Sequence, residues 1–175
     1  RSGKLSQQKN QKSRTLYKGK LLDLIGQTLS LPSGKRFFRE TVRHPGSCAI
    51  VPLLPNQKVV LIRQLRPSVQ KTLWEIPAGT LEKGETPYSC AKRELIEEIG
   101  CRAKRLKRVG TFYTSPGFCT EKMHLYLATR LTRLSQHLEE DEAIRPRTFP
   151  LKVARKMIRT GAIQDAKTII GLSLI

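Results

Sequence analysis

Glu94, Glu97 and Glu98 stand at positions i, i+3 and i+4 of one stretch. On a helix these spacings share a face. Three like charges on one face repel each other, and Arg93 can reach Glu97 at i+4. One arginine does not neutralise three carboxylates, whereas a divalent cation does. Oxygen donors with no soft ligand beside them favour Mg2+ or Mn2+ over zinc. Glu85 adds a fourth donor just ahead of the helix, and the Pro77-Ala78-Gly79 turn can bring a backbone carbonyl to the same place.

The rest of the chain makes this cluster conspicuous. Among 175 residues there are 33 Lys and Arg against 14 Asp and Glu, a formal net charge of +19. Such a balance favours anionic partners: nucleic acid, anionic lipid or a phosphorylated small molecule. The scarce acids are not scattered. Six lie between residues 75 and 98, and Glu139, Glu140, Asp141 and Glu142 are consecutive. Acidic clusters are ordinarily solvated faces, but the i, i+3, i+4 spacing points to chemical use.

The elements that must position these groups are readable. Thr86 caps a helix over 87–99, Pro87 suits its first position, and Gly100 suits its stop. Ala91, Leu95 and Ile99 form its apolar stripe. Ahead of it, Cys48–Leu54 and Val59–Leu65 read as strands across Pro55-Asn56-Gln57, and Trp74-Glu75-Ile76 as a short strand ending at Pro77. Trp74 and Phe38 read as core aromatics. Strands are expected at Leu106–Thr114, Met123–Thr129 and Ile144–Phe149, and helices at Leu151–Thr160 and Ala166–Leu172. Residues 16–43 read as a β-hairpin or meander around Leu31-Pro-Ser-Gly-Lys35. Residues 1–15, basic and without acids, read as a flexible tail.

Length and composition suit one compact domain, residues 16–175. No apolar run approaches the roughly 20 residues that cross a bilayer as a helix, and the composition excludes collagen-like or wholly disordered chains. Cys48, Cys90, Cys101 and Cys119 form no C-x-x-C pair. They read as free thiols in a reducing compartment, which suggests the cytoplasm.

Gly79, five residues, Glu85, seven residues, then Arg93-Glu94-Leu95-Ile96-Glu97-Glu98-Ile99-Gly100 resembles the Nudix box, G-x5-E-x7-R-E-U-x-E-E-x-G-U. Every specified position matches except the last, where Cys101 replaces a larger aliphatic residue. Ser115-Pro116-Gly117, with Pro116 sixteen positions after Gly100, is similar to the ADP-ribose pyrophosphatase branch. So are Arg63-Gln64-Leu65-Arg66-Pro67, Trp74 to Gly79, and Asp165 to Ile169. The likeness runs from about Leu16 to the C-terminus.

The resemblance implies an α/β fold: an α/β/α sandwich with a mixed sheet and an N-terminal β-extension at 16–43, exchanged in a homodimer. It implies metal-dependent hydrolysis of ADP-ribose to AMP and ribose 5-phosphate. Another nucleoside diphosphate sugar such as GDP-mannose is the alternative, and an RNA-directed protein the rival of another class. Glu94 and Glu98 are then the main metal ligands, with Glu97 and the Ala78 carbonyl assisting and Glu85 and Arg93 orienting them. The general base comes from the acidic segment, with Glu142 aligning best and Glu140 second. Arg66 corresponds to the arginine that grips the phosphates. Pro116, Gly117, Glu121 and Arg39 are the remaining substrate contacts. No membrane partner is expected.

Overall fold

A computed structural model describes residues 13–134 and 144–175. The tail up to residue 12 and the acidic residues 139–142 lie outside the described residues. The chain divides into two compact units. One holds the chain up to Pro45 together with Tyr113–Glu121, and the other holds Gly46–Phe112 and Lys122–Ile175.

The first unit is an antiparallel meander of β1 (Ser13–Lys18), β2 (Asp23–Ser30) and β3 (Arg36–Arg43). Residues 13–15, expected in the tail, instead pair with Gln27, Gly26 and Ile25 of β2. Leu21 and Leu22 fall in the β1–β2 turn, and Leu31–Lys35 forms the β2–β3 turn. Residues 113–121 join the unit through Val42, whose N–H bonds the Phe118 carbonyl at 2.7 Å and whose carbonyl accepts from Thr120 at 3.0 Å. Phe38 is not a core residue, since 45% of it is exposed. Its ring instead lies across Gly26, where an added Cβ would come within 2.4 Å of it. Leu16, Tyr17, Leu21, Leu22 and Leu31 are also exposed.

The second unit is built on a seven-stranded mixed sheet. Its strands are β4 (Ser47–Leu54), β5 (Lys58–Arg66), β6 (Lys71–Glu75), β7 (Ala78–Thr80), β8 (Cys101–Tyr113), β9 (Lys122–Arg133) and β10 (Arg145–Pro150). The main order is β10-β5-β4-β9-β8, with β6 on β5 and β7 on β4. β4 is central and pairs in parallel with β9. Its unbroken apolar run follows from burial on both faces. Alternate residues point to opposite sides: Cys48 and Ile50 pack with Ala91, Leu95 and Ile99, while Ala49 and Val51 pack with Ala154, Ile163 and Leu172. Helix α1 (Pro87–Ile99) thus covers one face, and α2 (Leu151–Arg159) and α3 (Ala166–Ser173) the other. This is the expected α/β/α sandwich.

α1 begins and ends where the sequence indicates. Thr86 Oγ1 accepts from Ser89 N–H at 3.1 Å, and Ser89 Oγ accepts from Thr86 N–H at 3.0 Å, closing a capping box. Gly100 adopts φ 60°, the left-handed stop that favours glycine. All four cysteines are free. The Cys48 and Cys90 sulfurs touch at 3.0 Å between β4 and α1, and this contact and burial push the Cys48 thiol up.

Candidate active site

The buried face of α1 is unusual, because Glu94 and Glu98 lie on it beside Cys90, Ala91, Leu95 and Ile99. Glu98 is 1% exposed and Glu94 is 7% exposed. Buried carboxylates need partners. Ala78 donates its N–H to Glu98 Oε2 at 2.9 Å, which joins the helix to the start of β7. Glu94 lies over Gly79, where an added Cβ would stand 1.6 Å from Glu94 Oε1. The glycine is required by that side chain.

Arg93 gathers the other carboxylates. Its Nε and Nη2 donate to the two oxygens of Glu85, both at 3.1 Å. Its Nη1 donates to Glu94 at 2.7 Å and to Glu97 at 2.8 Å, and its Nη2 donates to the Thr80 carbonyl at 3.2 Å. The Glu85 pairing holds the guanidinium pKa well above its ordinary value, and Arg93 in turn holds the Glu85 carboxyl low. Four carboxylates gather here, and this one guanidinium bonds three of them. Among the described residues no three acidic, cysteine or histidine side chains form a ready-made metal cage. The hard-oxygen donor set nevertheless fits a hard divalent cation. Glu94 and Glu98, with Glu97 beside them, could hold one.

Arg66 is brought to a second charged group. Its Nε and Nη2 donate to Glu75 Oε1 and Oε2 at 2.8 and 2.7 Å, a bidentate pair. Glu75 is 1% exposed and also takes the Lys167 ammonium. Lys167 donates to Asp165 at 3.0 Å as well. Asp165 caps α3 by accepting from Thr168 N–H at 2.9 Å, and Thr168 Oγ1 accepts from Ile76 N–H at 2.8 Å. Burial alone would raise the Glu75 carboxyl, but Arg66 and Lys167 outweigh it and hold its pKa low. The Arg66 pKa is raised chiefly by its bonds to Glu75, with a further push from the Glu98 charge. Arg66 therefore lies within the field of the α1 carboxylates. Sequence reasoning gave Glu75 and Lys167 no role. The available signal was an acid flanked by Trp74 and Ile76 in a buried strand.

The other expected contacts fall in the first unit. Arg39 lies over the Phe37 ring at 5.0 Å. Ser115-Pro116-Gly117 forms a turn in which Phe118 and Cys119 N–H bond the Ser115 carbonyl. An added Cβ on Gly117 meets nothing within 4 Å. Glu121 accepts from Thr114 Oγ1 at 2.7 Å and stands 4.0 Å from His44. Glu142 and Glu140 lie outside the described residues. Trp74 is in the core as expected, edge-on to Phe149 at 5.1 Å.

A carboxylate helix of this spacing, locked onto a glycine strand in an α/β/α sandwich, defines a class. The NUDIX domain model matches residues 42–170, and the chain belongs to that family. Within it the chain falls in the ADP-ribose pyrophosphatase-like branch of Nudix pyrophosphohydrolases. It is 40% identical over 162 residues to an ADP-ribose pyrophosphatase of Bacillus subtilis (strain 168), covering 91% of this chain and 88% of that one. It is 37% identical over 175 residues to a methanol dehydrogenase activator of Bacillus methanolicus, covering 99% and 95%. A crystal structure of an ADP compounds hydrolase shares the fold with a TM-score of 0.82 at 23% identity, over 93% of this chain and 89% of that one.

Two expectations follow. Gly79→Ala forces Glu94 aside, so Mn2+ affinity measured by calorimetry should fall at least tenfold while circular dichroism stays native. Unchanged affinity would remove the steric link. The second concerns acid. Because Glu75 has a lowered folded pKa, its pairing stabilises fully above about pH 4.3, the unfolded glutamate value. That stability fades as pH falls through the lower folded value. Thermal melts of wild type and Glu75→Gln should therefore differ most at neutral pH and converge toward pH 3. A constant difference would contradict the assignment.

Proposed function

We propose that this chain hydrolyses the pyrophosphate bond of ADP-ribose, releasing AMP and ribose 5-phosphate, and that it does so as a homodimer with Mg2+ or Mn2+. The observation that carries the reading is the pair of buried carboxylates, Glu94 and Glu98, fixed to Gly79 and Ala78 at the β7 strand. The 40% identity to an ADP-ribose pyrophosphatase supports the substrate.

Glu94 and Glu98 would hold the ion, with Glu97 and the Ala78 carbonyl assisting. When bound, it screens the diphosphate charge and makes water a stronger nucleophile. Arg93 and Glu85 keep the ligand carboxylates in their rotamers. Arg66 faces the phosphates with the N–H groups that Glu75 does not engage, since the pair uses two of five. A base from the acidic segment, Glu142 or Glu140, takes the proton of the attacking water. Pro116, Gly117, Glu121 and Arg39 are proposed to contact the substrate.

The dimer is supported by the first unit. Its strands expose Leu16, Tyr17 and Phe38, an apolar surface that calls for cover. The four free cysteines suit a reducing compartment, and the cytoplasm is proposed. No helix of the described residues is long and apolar enough to cross a membrane.

Products from ADP-ribose, GDP-mannose and ADP-glucose with Mg2+ decide the substrate by chromatography. AMP should form fastest from ADP-ribose. EDTA should abolish turnover, and Glu98→Gln should lower kcat by at least a hundredfold. Faster release from GDP-mannose would move the substrate, and chelator-insensitive turnover would reject the mechanism. Light scattering should give twice the chain mass; a monomer would refute the dimer.

A further inference from the structure

Strand β8 carries Arg102, Lys104, Arg105, Lys107 and Arg108, all exposed. It ends the main strand order of its sheet. No Asp or Glu occurs from Cys101 to Thr120. Among the described residues, ion pairs engage His44, Arg66, Arg93 and Lys167, and none engages these five cations. The neighbouring β9 adds exposed Arg130 and Arg133. Arg102 and Lys104, and likewise Arg105 and Lys107, are two residues apart and share a face. Like charges this close on a sheet are destabilising. The reasoning that gives the α1 carboxylates a cation gives this strand an anion.

The local field is visible in the groups beneath the strand. After burial, Lys122 and Arg108 push the His124 pKa down. Arg108 also acts on Tyr126 by its charge, and Tyr88, half-exposed, stands edge-on to Tyr126 at 6.3 Å and under the Lys92 ammonium at 5.9 Å. An exposed ring among cations is a stacking surface for a base.

We propose that the β8 edge binds the phosphate backbone of a nucleic-acid strand, using residues distinct from those of the carboxylate site. The layout selects this ligand. A small phosphate needs two or three converging donors, whereas here five cations spread over about 20 Å at roughly 3.3 Å per residue. A lipid surface is held more firmly where apolar side chains insert among the cations. The aliphatic residues here, Ala103, Leu106 and Val109, pack against the core instead.

The test is fluorescence anisotropy of the full chain with a 20-nucleotide oligouridylate and a 20-base-pair DNA duplex, over a range of NaCl. If five cations each neutralise a phosphate, log K for the single strand should fall with log salt at a slope of about −3.5. R102Q/K104Q/R105Q/K107Q should weaken binding to either probe more than tenfold at low salt and flatten the single-strand slope to about −0.7. Its ADP-ribose turnover should stay within twofold. Should that variant not fold, Arg105→Gln and Lys107→Gln alone should each flatten the slope by about 0.7. Substituting Lys4, Lys9 and Lys12 with Gln should leave the slope unchanged. Binding lost with the tail substitutions but kept in the β8 variant would overturn the proposal. So would failure to bind either probe, or retention on phosphatidylserine vesicles alone.

Discussion

Three carboxylates gathered by one arginine, with a fourth held by a backbone N–H, set the terms for the α1 side of the sheet. Glu85, Glu94 and Glu97 are all bonded to Arg93, and Glu98 is bonded to the Ala78 backbone. The arrangement needs a helix to bring i, i+3 and i+4 together, and a strand with no side chain at one position to lie beneath it. The cap at Thr86, the stop at Gly100 and the pairing of Cys48 with Gly79 across β4 and β7 fix both partners. The cluster gathers hard oxygen donors of one sign beside the start of β7, the chemistry that suits a hard divalent cation.

A second buried charge, Glu75, organises the opposite layer. It receives Arg66 from β5 and Lys167 from α3, while Asp165 and Thr168 bind the start of α3 to Ile76. Removing one member of such a group leaves an uncompensated buried charge, which costs about 3–5 kcal/mol. The network therefore places Arg66 and holds the C-terminal helix on the sheet at once. Substitutions at Lys167 or Asp165 are expected to reach Arg66 through Glu75.

What was legible in the sequence was local. α1 was expected over 87–99 and occupies those residues, because cap, stop and stripe all lie within fifteen residues of one another. Its carboxylate cluster came with it. β4 and β5 were read to within one residue at each end, since buried apolar runs leave little choice. β8 begins at Cys101, five residues ahead of its expected start, because its basic residues hid strand pairing under a polar composition. Phe38 was expected in the core and lies exposed over Gly26, a cross-strand contact no short-range pattern shows. The Glu75–Lys167 pair spans 92 positions, so only the folded chain reveals it.

Gly79 and Glu94 show how such contacts are inherited. The backbone at Gly79 gives way to a carboxylate, and that carboxylate leaves no room for any other residue there. Neither position can drift alone. A descendant that abandons Glu94 removes the tightest contact that a side chain at Gly79 would meet, so the two should be lost in sequence: the acid first, then the glycine. Among related chains, a larger residue at the glycine position is a mark of lineages in which the carboxylate has already gone.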